Sequence, residues 1–373
     1  MGRLKVGVVG LGTMGSQVLW QLSKRGVDAT GFETYFPGHS RGAAGGETRL
    51  FRNIELEDLR YAPIVARASE IWDDLQGVSG RELRVISGAL VMGSPAHTQM
   101  QTALVAAHQS GKPYEVLDRA ELRARHPQFE VDPGDIAIWD RTGGSIRPEL
   151  TVATAADLAE QNGATINRGS KVREINETHG GVTVVTDAGR FDFDRVVVAA
   201  GGWINQLLPR FESLITVRRL ISAWYFGRDA EYLKTVVPFI RTAPTYCYGL
   251  PVPDRTAMKL GVGYEDHLPA DRPDEVERIA RPDELAPFER VIARYMPGLN
   301  PYPMRTETYI ETYTPDRHEW IGEHPDMGNV VVLAGFSGHG FKMSPAIGEI
   351  GAELAIDGKT GLDIDFLNHE GEL

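Results

Sequence analysis

Apolar, largely β-branched residues run through positions 4–9, a pattern that predicts a short strand buried on both faces. The chain then reads Gly10-Leu11-Gly12-Thr13-Met14-Gly15, after which Met14, Val18, Leu19 and Leu22 recur at helical spacing as far as Arg25. Gly26 fits a helix stop, and residues 29–32 predict a second strand that ends at Glu33. Further along, the spacing predicts an amphipathic helix over 59–75, a strand over 85–92 and a helix over 96–110. Residues 132–148, with Trp139, Asp140, Gly143 and Gly144, are rich in turn formers. A helix over 150–162 follows, then short strands near 165–166, 172–175 and 182–185, and a longer run over 191–200 that enters Gly201-Gly202-Trp203. From about 217 to 312 aromatic residues and β alternation dominate, interrupted by a helix over 282–296. The grammar then returns to that of the start. A β-branched strand over 330–333 precedes Gly335-Phe336-Ser337-Gly338-His339-Gly340-Phe341-Lys342, with Ser344 and Pro345 as N-cap and first position of a helix marked by Ile347, Ile350 and Leu354.

The opening unit is a complete strand–turn–helix–strand of the right length for a dinucleotide. The first glycine allows a tight turn, the second lets the backbone approach a pyrophosphate, and the third lets helix and strand pack closely. The helix start presents free N–H groups to phosphate, and Glu33 is placed to accept from ribose hydroxyls. The motif alone does not separate NAD from FAD. Residues 35–46 form a glycine-rich loop that can fold over a cofactor, and Arg49 and Arg52 would share a face if their segment were helical. A solvated basic turn is the alternative for that pair. The expected fold class is α/β and α+β: a Rossmann-type domain of residues 1–82, 149–215 and 313–373, interleaved with an antiparallel-sheet substrate domain of residues 83–148 and 216–312.

Composition narrows the function classes. The chain has 373 residues, 42% hydrophobic and 24% charged, which is ordinary for a water-soluble globular protein of two domains. No apolar run reaches membrane-spanning length, and the first strand leaves no room for a signal peptide before it. The net charge of −12 argues against nucleic acid and anionic membranes as partners. The single cysteine, Cys247, excludes an internal disulfide and fits a reducing cytoplasm. No metal site is expected.

Five stretches occur together in order: the 10–15 turn with Glu33, Thr48-Arg49-x-x-Arg52, Ala200-Gly201-x-Trp203, Lys259-Leu260-Gly261, and the 335–342 turn. The set resembles the FAD-dependent amine oxidases of the monomeric sarcosine oxidase and N-methyltryptophan oxidase family. The resemblance covers essentially the whole chain, and the 335–342 turn is its most specific piece. It implies FAD rather than NAD and a p-hydroxybenzoate-hydroxylase-like fold. It implies cofactor contacts at Gly10, Gly12, Thr13, Met14, Gly15, Glu33, Ser40, Arg41, Thr48, Arg49, Val172, Gly201, Trp203, Gly338, His339, Gly340, Phe341 and Lys342. It also implies oxidation of a secondary amine or N-alkylated amino acid to an imine, with O2 reduced to H2O2. A dehydrogenase with another electron acceptor is the alternative.

Arg49, Lys259, Tyr248 and His339 are the catalytic positions on this resemblance. A fixed Lys259 ammonium would stabilise charge developing on O2. Arg52 and Lys342 would hold a substrate carboxylate, and either could instead be a structural ion pair. Tyr248, Glu311 and Gly263 complete the substrate set. The family's flavin-linked cysteine aligns with Tyr309, so non-covalent FAD is expected. Glu311 stands where the family has a tyrosine and Gly263 where it has a histidine, which suggests a larger or more polar substrate. Glu311 would either receive a cationic or hydroxylated group or pair with an arginine such as Arg305. A monomer is implied.

Overall fold

A computed structural model describes residues 2–367. The strand Lys5–Val9 lies inside a six-stranded sheet, parallel to Arg195–Val198 on one side and to Asp28–Glu33 on the other. Met327–Ala334 and Thr165–Arg168 extend the sheet in parallel, and Trp320–His324 adds an antiparallel edge. The uninterrupted β-branched runs are explained by cover on both faces. Val6, Val8, Val197 and Val331 pack against the helices Thr13–Lys24 and Ser344–Asp357. Val9, Val196, Val198 and Val332 pack against a three-stranded antiparallel sheet of Val172–Thr178, Gly181–Thr186 and Gly189–Phe193.

The aromatic-rich middle forms a nine-stranded sheet. Thr216–Tyr225 pairs with Arg305–Tyr313 and Met258–Val262, and the sheet continues through Cys247–Pro251 and Phe239–Arg241. Ala89–Gly93 joins it in parallel, followed by Ile136–Asp140 and Tyr114–Leu117. The helix Ala286–Tyr295 buries Phe288, Val291, Ile292 and Tyr295 against it. A fourth, small sheet of Arg49–Phe51, Gly144–Ile146 and Arg84–Ile86 draws together segments from the two sequence regions.

Local differences from the sequence reading have tertiary causes. Arg49 and Arg52 do not share a helical face, because pairing with Gly144–Ile146 makes Arg49–Phe51 a strand. The run 85–92 is two strands in different sheets. Gly88, at φ 77, turns the chain between them, and a Cβ there would lie 1.9 Å from Trp139. The run 191–200 likewise divides at Asp194, whose side chain accepts from the Lys5 N–H at 2.7 Å. Residues 132–148 hold two strands, Ile136–Asp140 and Gly144–Ile146, because pairing in two sheets overrides turn formers such as Asp140 and Gly144 that lie within them. Residues 282–296 begin with a single 3-10 turn, Pro282–Leu285. The tail helix takes Ser344 as its first residue because the 3-10 turn Gly340–Met343 runs straight into it.

Candidate active site

Two of the three glycines of the opening turn are required by the backbone itself. Gly10 has φ 85, and a Cβ on Gly15 would lie 1.8 Å from the Gly10 carbonyl. A Cβ on Gly12 would meet nothing within 4 Å, so this residue faces open space at the start of the helix Thr13–Lys24. That helix has no side-chain cap, which leaves its first N–H groups available to an anion. The Glu33 carboxylate accepts from the Leu11 and Tyr35 N–H groups, each at 3.0 Å, and His39 lies 3.3 Å away. Burial raises the Glu33 carboxyl, but His39 and these N–H groups outweigh it and hold the group below its ordinary value.

These parts open onto one cleft of about 1360 Å³, solvent mouth included. Gly10, Gly12, Thr13, Met14 and Glu33 line it at one end, Val172, Gly201 and Trp203 along one side, and Gly338, Gly340 and Phe341 from the tail. A Cβ on Gly340 would lie 2.8 Å from Met14, so the tail turn and the opening helix meet directly. Ser170 lines this space, and its hydroxyl is buried with no partner; the buried Thr48 hydroxyl also has none. An elongated cleft with a bare helix start, a glycine cradle, an ionised carboxylate and an unpartnered hydroxyl fits a dinucleotide.

The structure does not bring all expected contacts to the cleft wall. Ser40 and Arg41 lie on the outer side of their loop, where Arg41 stacks over Tyr35 at 4.9 Å; His39, Gly42, Ala43 and Ala44 face inward instead. Gly15 acts through packing beneath the turn. Sequence reading missed Tyr35, Ala43, Ser170, Lys171, Gln206 and Phe336 on the lining. Position next to Val172 was a signal for Ser170 and Lys171; none existed for Gln206.

Arg49 lines the cleft and donates to the Thr48 and Ala43 carbonyls at 3.0 and 2.5 Å. Lys259 lies behind it, 1% exposed, donating to the Gly46 carbonyl at 3.0 Å and to that of Thr48. Burial, then Arg49, pushes the Lys259 ammonium well below its ordinary value, opposed by Glu149, Glu47 and Glu307. The loop itself is pinned by Glu149, which accepts from the Gly46 N–H at 2.6 Å and the Glu47 N–H at 3.0 Å. Tyr309 is buried against this loop: a Cβ on Gly45 would lie 2.4 Å from its ring. Cys247 is fully buried in the core of the large sheet, its thiol pushed up to about 12 by burial.

Arg52 and Lys342 do converge, but on carboxylates of the chain itself. Arg52 donates through Nη2 to both Glu57 carboxylate oxygens at 2.7 Å and lies 3.7 Å from Glu55. Lys342 is 3.4 Å from Glu55 and donates to the His339 carbonyl at 3.0 Å, so its ammonium turns away from the cleft. His339 is enclosed, with Nε2 2.9 Å from the Arg317 carbonyl, and burial lowers its imidazolium. Gly263 is not an opened space: a Cβ there would lie 2.8 Å from the Glu265 carboxylate and 3.4 Å from Tyr246. The Tyr248 ring lies across Gly261, where a Cβ would come within 2.1 Å of it. Arg305 pairs with Glu47 at 2.5 Å and with Glu307, not with Glu311.

Both Glu55 oxygens lack hydrogen bonds at 1% exposure. Burial pushes this carboxyl up to about 7, with Lys342 and Arg52 pulling down and Glu57 pushing up. A raised acid pKa costs stability above the unfolded value, and the cost grows until pH passes the folded value. Glu55→Gln is therefore expected to raise Tm by a few degrees at pH 8 and to change it little at pH 5. Equal shifts at both pH values in a thermal melt would contradict the burial argument.

The comparisons with known proteins agree with this geometry. A sequence model described as "FAD dependent oxidoreductase" matches residues 5–354. Monomeric sarcosine oxidase of Streptomyces avermitilis is 31% identical over 372 residues, covering 97% of this chain and 96% of its own. N-methyl-L-tryptophan oxidase of Yersinia pestis is 30% identical over 371 residues, covering 96% of each. Among solved structures, NikD, titled an unusual amino acid oxidase essential for nikkomycin biosynthesis, superposes with a TM-score of 0.84 at 24% identity, covering 98% of this chain and 97% of its own. L-proline dehydrogenase from P. horikoshii also gives 0.84, at 21% identity, covering 98% and 96%. These last two bear on the fold alone. With its opening turn, its cleft and its tail in the expected places, the chain belongs to the FAD-dependent oxidoreductase family, in the branch that resembles monomeric sarcosine oxidase and N-methyltryptophan oxidase.

Proposed function

We propose that the protein oxidises a secondary amine or an N-alkylated amino acid to an imine, which water then hydrolyses, and reduces O2 to H2O2. The observation that carries this reading is the cationic wall beside the dinucleotide cleft. Arg49 lines that wall and Lys259 is fixed directly behind it by two carbonyls. The named activities of the sarcosine and N-methyltryptophan oxidases support the substrate class.

FAD, when bound, supplies the two-electron acceptor and the route to oxygen. The helix start at Thr13 and the 10–15 turn would hold its pyrophosphate, and Glu33 its ribose. Non-covalent attachment is supported by Tyr309, which takes the place of the family's cysteine in the sequence, and by Cys247, which is far from that position in the chain and fully buried in the core of the nine-stranded sheet. The wall cations would stabilise negative charge that develops during reduction and during oxygen reaction. Enclosure by Tyr248, Tyr309 and Tyr313 would keep water from the reacting carbon.

We propose the discontinuous division into residues 1–82, 149–215 and 313–373 against 83–148 and 216–312; the separate six-stranded and nine-stranded sheets support it, while the small sheet of Arg49–Phe51, Arg84–Ile86 and Gly144–Ile146 spans its boundary. A monomeric cytoplasmic enzyme remains the proposed state. Among the described residues, no helix is long and apolar enough to cross a membrane.

The test is an anaerobic screen of N-methyl and cyclic amino acids and simple secondary amines for bleaching of the flavin, followed by admission of air with a peroxide assay. At least one amine is expected to bleach the flavin, with stoichiometric peroxide on reoxidation. Bleaching without peroxide would favour the dehydrogenase reading, and no bleaching by any amine would refute both.

A further inference from the structure

We propose that Glu311 receives the protonated nitrogen of the substrate and takes its proton, in an aromatic-walled seat formed with Tyr248 and Tyr313. The proposal rests on the amine-oxidation reading above and assigns the group that prepares the amine for it.

Alternation along the strand Arg305–Tyr313 puts Tyr309, Glu311 and Tyr313 on one face. Tyr309 anchors one end of that face against the loop at Gly45 and Gly46, with Arg49 5.6 Å from its ring. Tyr313 anchors the other, its hydroxyl 2.9 Å from His267 Nδ1 and its ring 4.7 Å from that of Tyr264. Glu311 lies between them and lines the cleft. Its charge acts on the hydroxyls of both Tyr248 and Tyr313.

Of the cations around Glu311, Arg317 lies over the rings of Tyr264 at 3.8 Å and Tyr313 at 5.0 Å, so the Tyr313 face is shared with it, and three others are engaged elsewhere. Arg218, its partner in register on the neighbouring strand, stacks over Tyr264 at 4.3 Å and donates to the His267 carbonyl at 2.9 Å. Arg305 is held by Glu47 and Glu307. Arg49 acts on Glu311 through its charge while giving its N–H groups to the Thr48 and Ala43 carbonyls. The hydrogen bond made to Glu311 comes from the N–H of its own neighbour, Thr312, at 3.0 Å. The Glu311 carboxylate is half-buried and receives one hydrogen bond, from a backbone N–H, so it keeps acceptor capacity that a ligand can fill. Aromatic faces around a carboxylate suit an N-alkylated ammonium, which is attracted to both.

The chemistry requires such a group. Secondary amines enter from neutral water as ammonium ions, and the C–N bond gives up electrons only when the nitrogen lone pair is free. In the transfer, an N–H bond breaks, an O–H bond forms on Glu311, and the lone pair stays on nitrogen. The two electrons lost later go to the flavin. Burial lifts the Glu311 carboxyl to about 7, with the Thr312 N–H and Arg49 pulling the other way. It therefore exchanges a proton near neutral pH. Tyr248 and Tyr313 are raised by burial and do not compete as bases.

The experiment uses the FAD-loaded enzyme and its Glu311→Gln and Glu311→Asp variants. Tetramethylammonium, which cannot be oxidised and carries no transferable proton, is titrated while the flavin absorbance is followed. Affinity is expected to fall at least tenfold in Glu311→Gln. For an amine that bleaches the flavin, kcat/KM is expected to fall about 10²-fold or more, with loss of the acid limb near pH 7. Glu311→Asp, which keeps the charge, is expected to retain that limb and most of the affinity. Unchanged tetramethylammonium affinity together with an unchanged acid limb in Glu311→Gln would overturn the proposal. Should no amine reduce the wild-type flavin, the oxidation reading fails by itself. Tetramethylammonium then decides the seat alone, a tenfold loss upholding it and equal affinity overturning it.

Discussion

Lys259→Met is expected to slow reoxidation of the reduced enzyme by air about 10²–10³-fold, the range seen when a fixed electrostatic donor is removed from a reaction site. The Lys259 ammonium is 1% exposed and donates to the Gly46 and Thr48 carbonyls, so its position is set before oxygen arrives. It acts on the cleft across that short segment of backbone, alongside Arg49. Methionine keeps the length and the apolar stem and removes the charge. Anaerobic reduction by the amine should therefore stay within a few-fold of wild type. Rapid mixing under nitrogen, then under air, separates the two half-reactions. Reoxidation at the wild-type rate would show that the charge plays no part in it.

The second large effect is on stability. Arg52→Met is expected to cost about 3–5 kcal/mol, because it leaves Glu57 and Glu55 buried with only Lys342 to balance them. Burial raises Glu57, but Arg52, Lys342 and His339 more than offset this and hold it well below its ordinary value. Such a group stabilises the fold above its unfolded pKa, and the benefit fades as pH falls through the folded one. The penalty should therefore be largest near neutral pH and shrink in acid. Urea unfolding at pH 7 and pH 4 checks this, and a cost below about 1 kcal/mol at both would mean the cluster is not held as described.

The opening unit was legible because everything that shapes it is local: a glycine turn, an uncapped helix start and a carboxylate two dozen residues on. The tail turn was legible for the same reason. The ion cluster was not, since Glu55 and Glu57 sit in an acidic stretch that reads as a solvated surface. Only the fold carries Lys342 to them. Glu149 reads as an ordinary first-turn helix residue, and its grip on Gly46 spans 103 positions of sequence. The two readings of Glu311 could not be separated along the chain, because the competition for Arg305 is settled by Glu47, which approaches from a distant loop. The strand breaks at Gly88 and Asp194 depend on which sheet each half joins, and hydrophobic periodicity carries no such information.

Peroxide release, as proposed above, would expose the enzyme to its own product. The only thiol of this chain, Cys247, is completely enclosed and kept protonated by burial, so it is a poor target for oxidation to a sulfenic acid. Among the described residues, the most exposed sulfur is the thioether of Met304, at 60% on the surface. Damage there would alter a side chain in contact with water and leave the packing of both cores intact, which would suit an enzyme that makes its own oxidant.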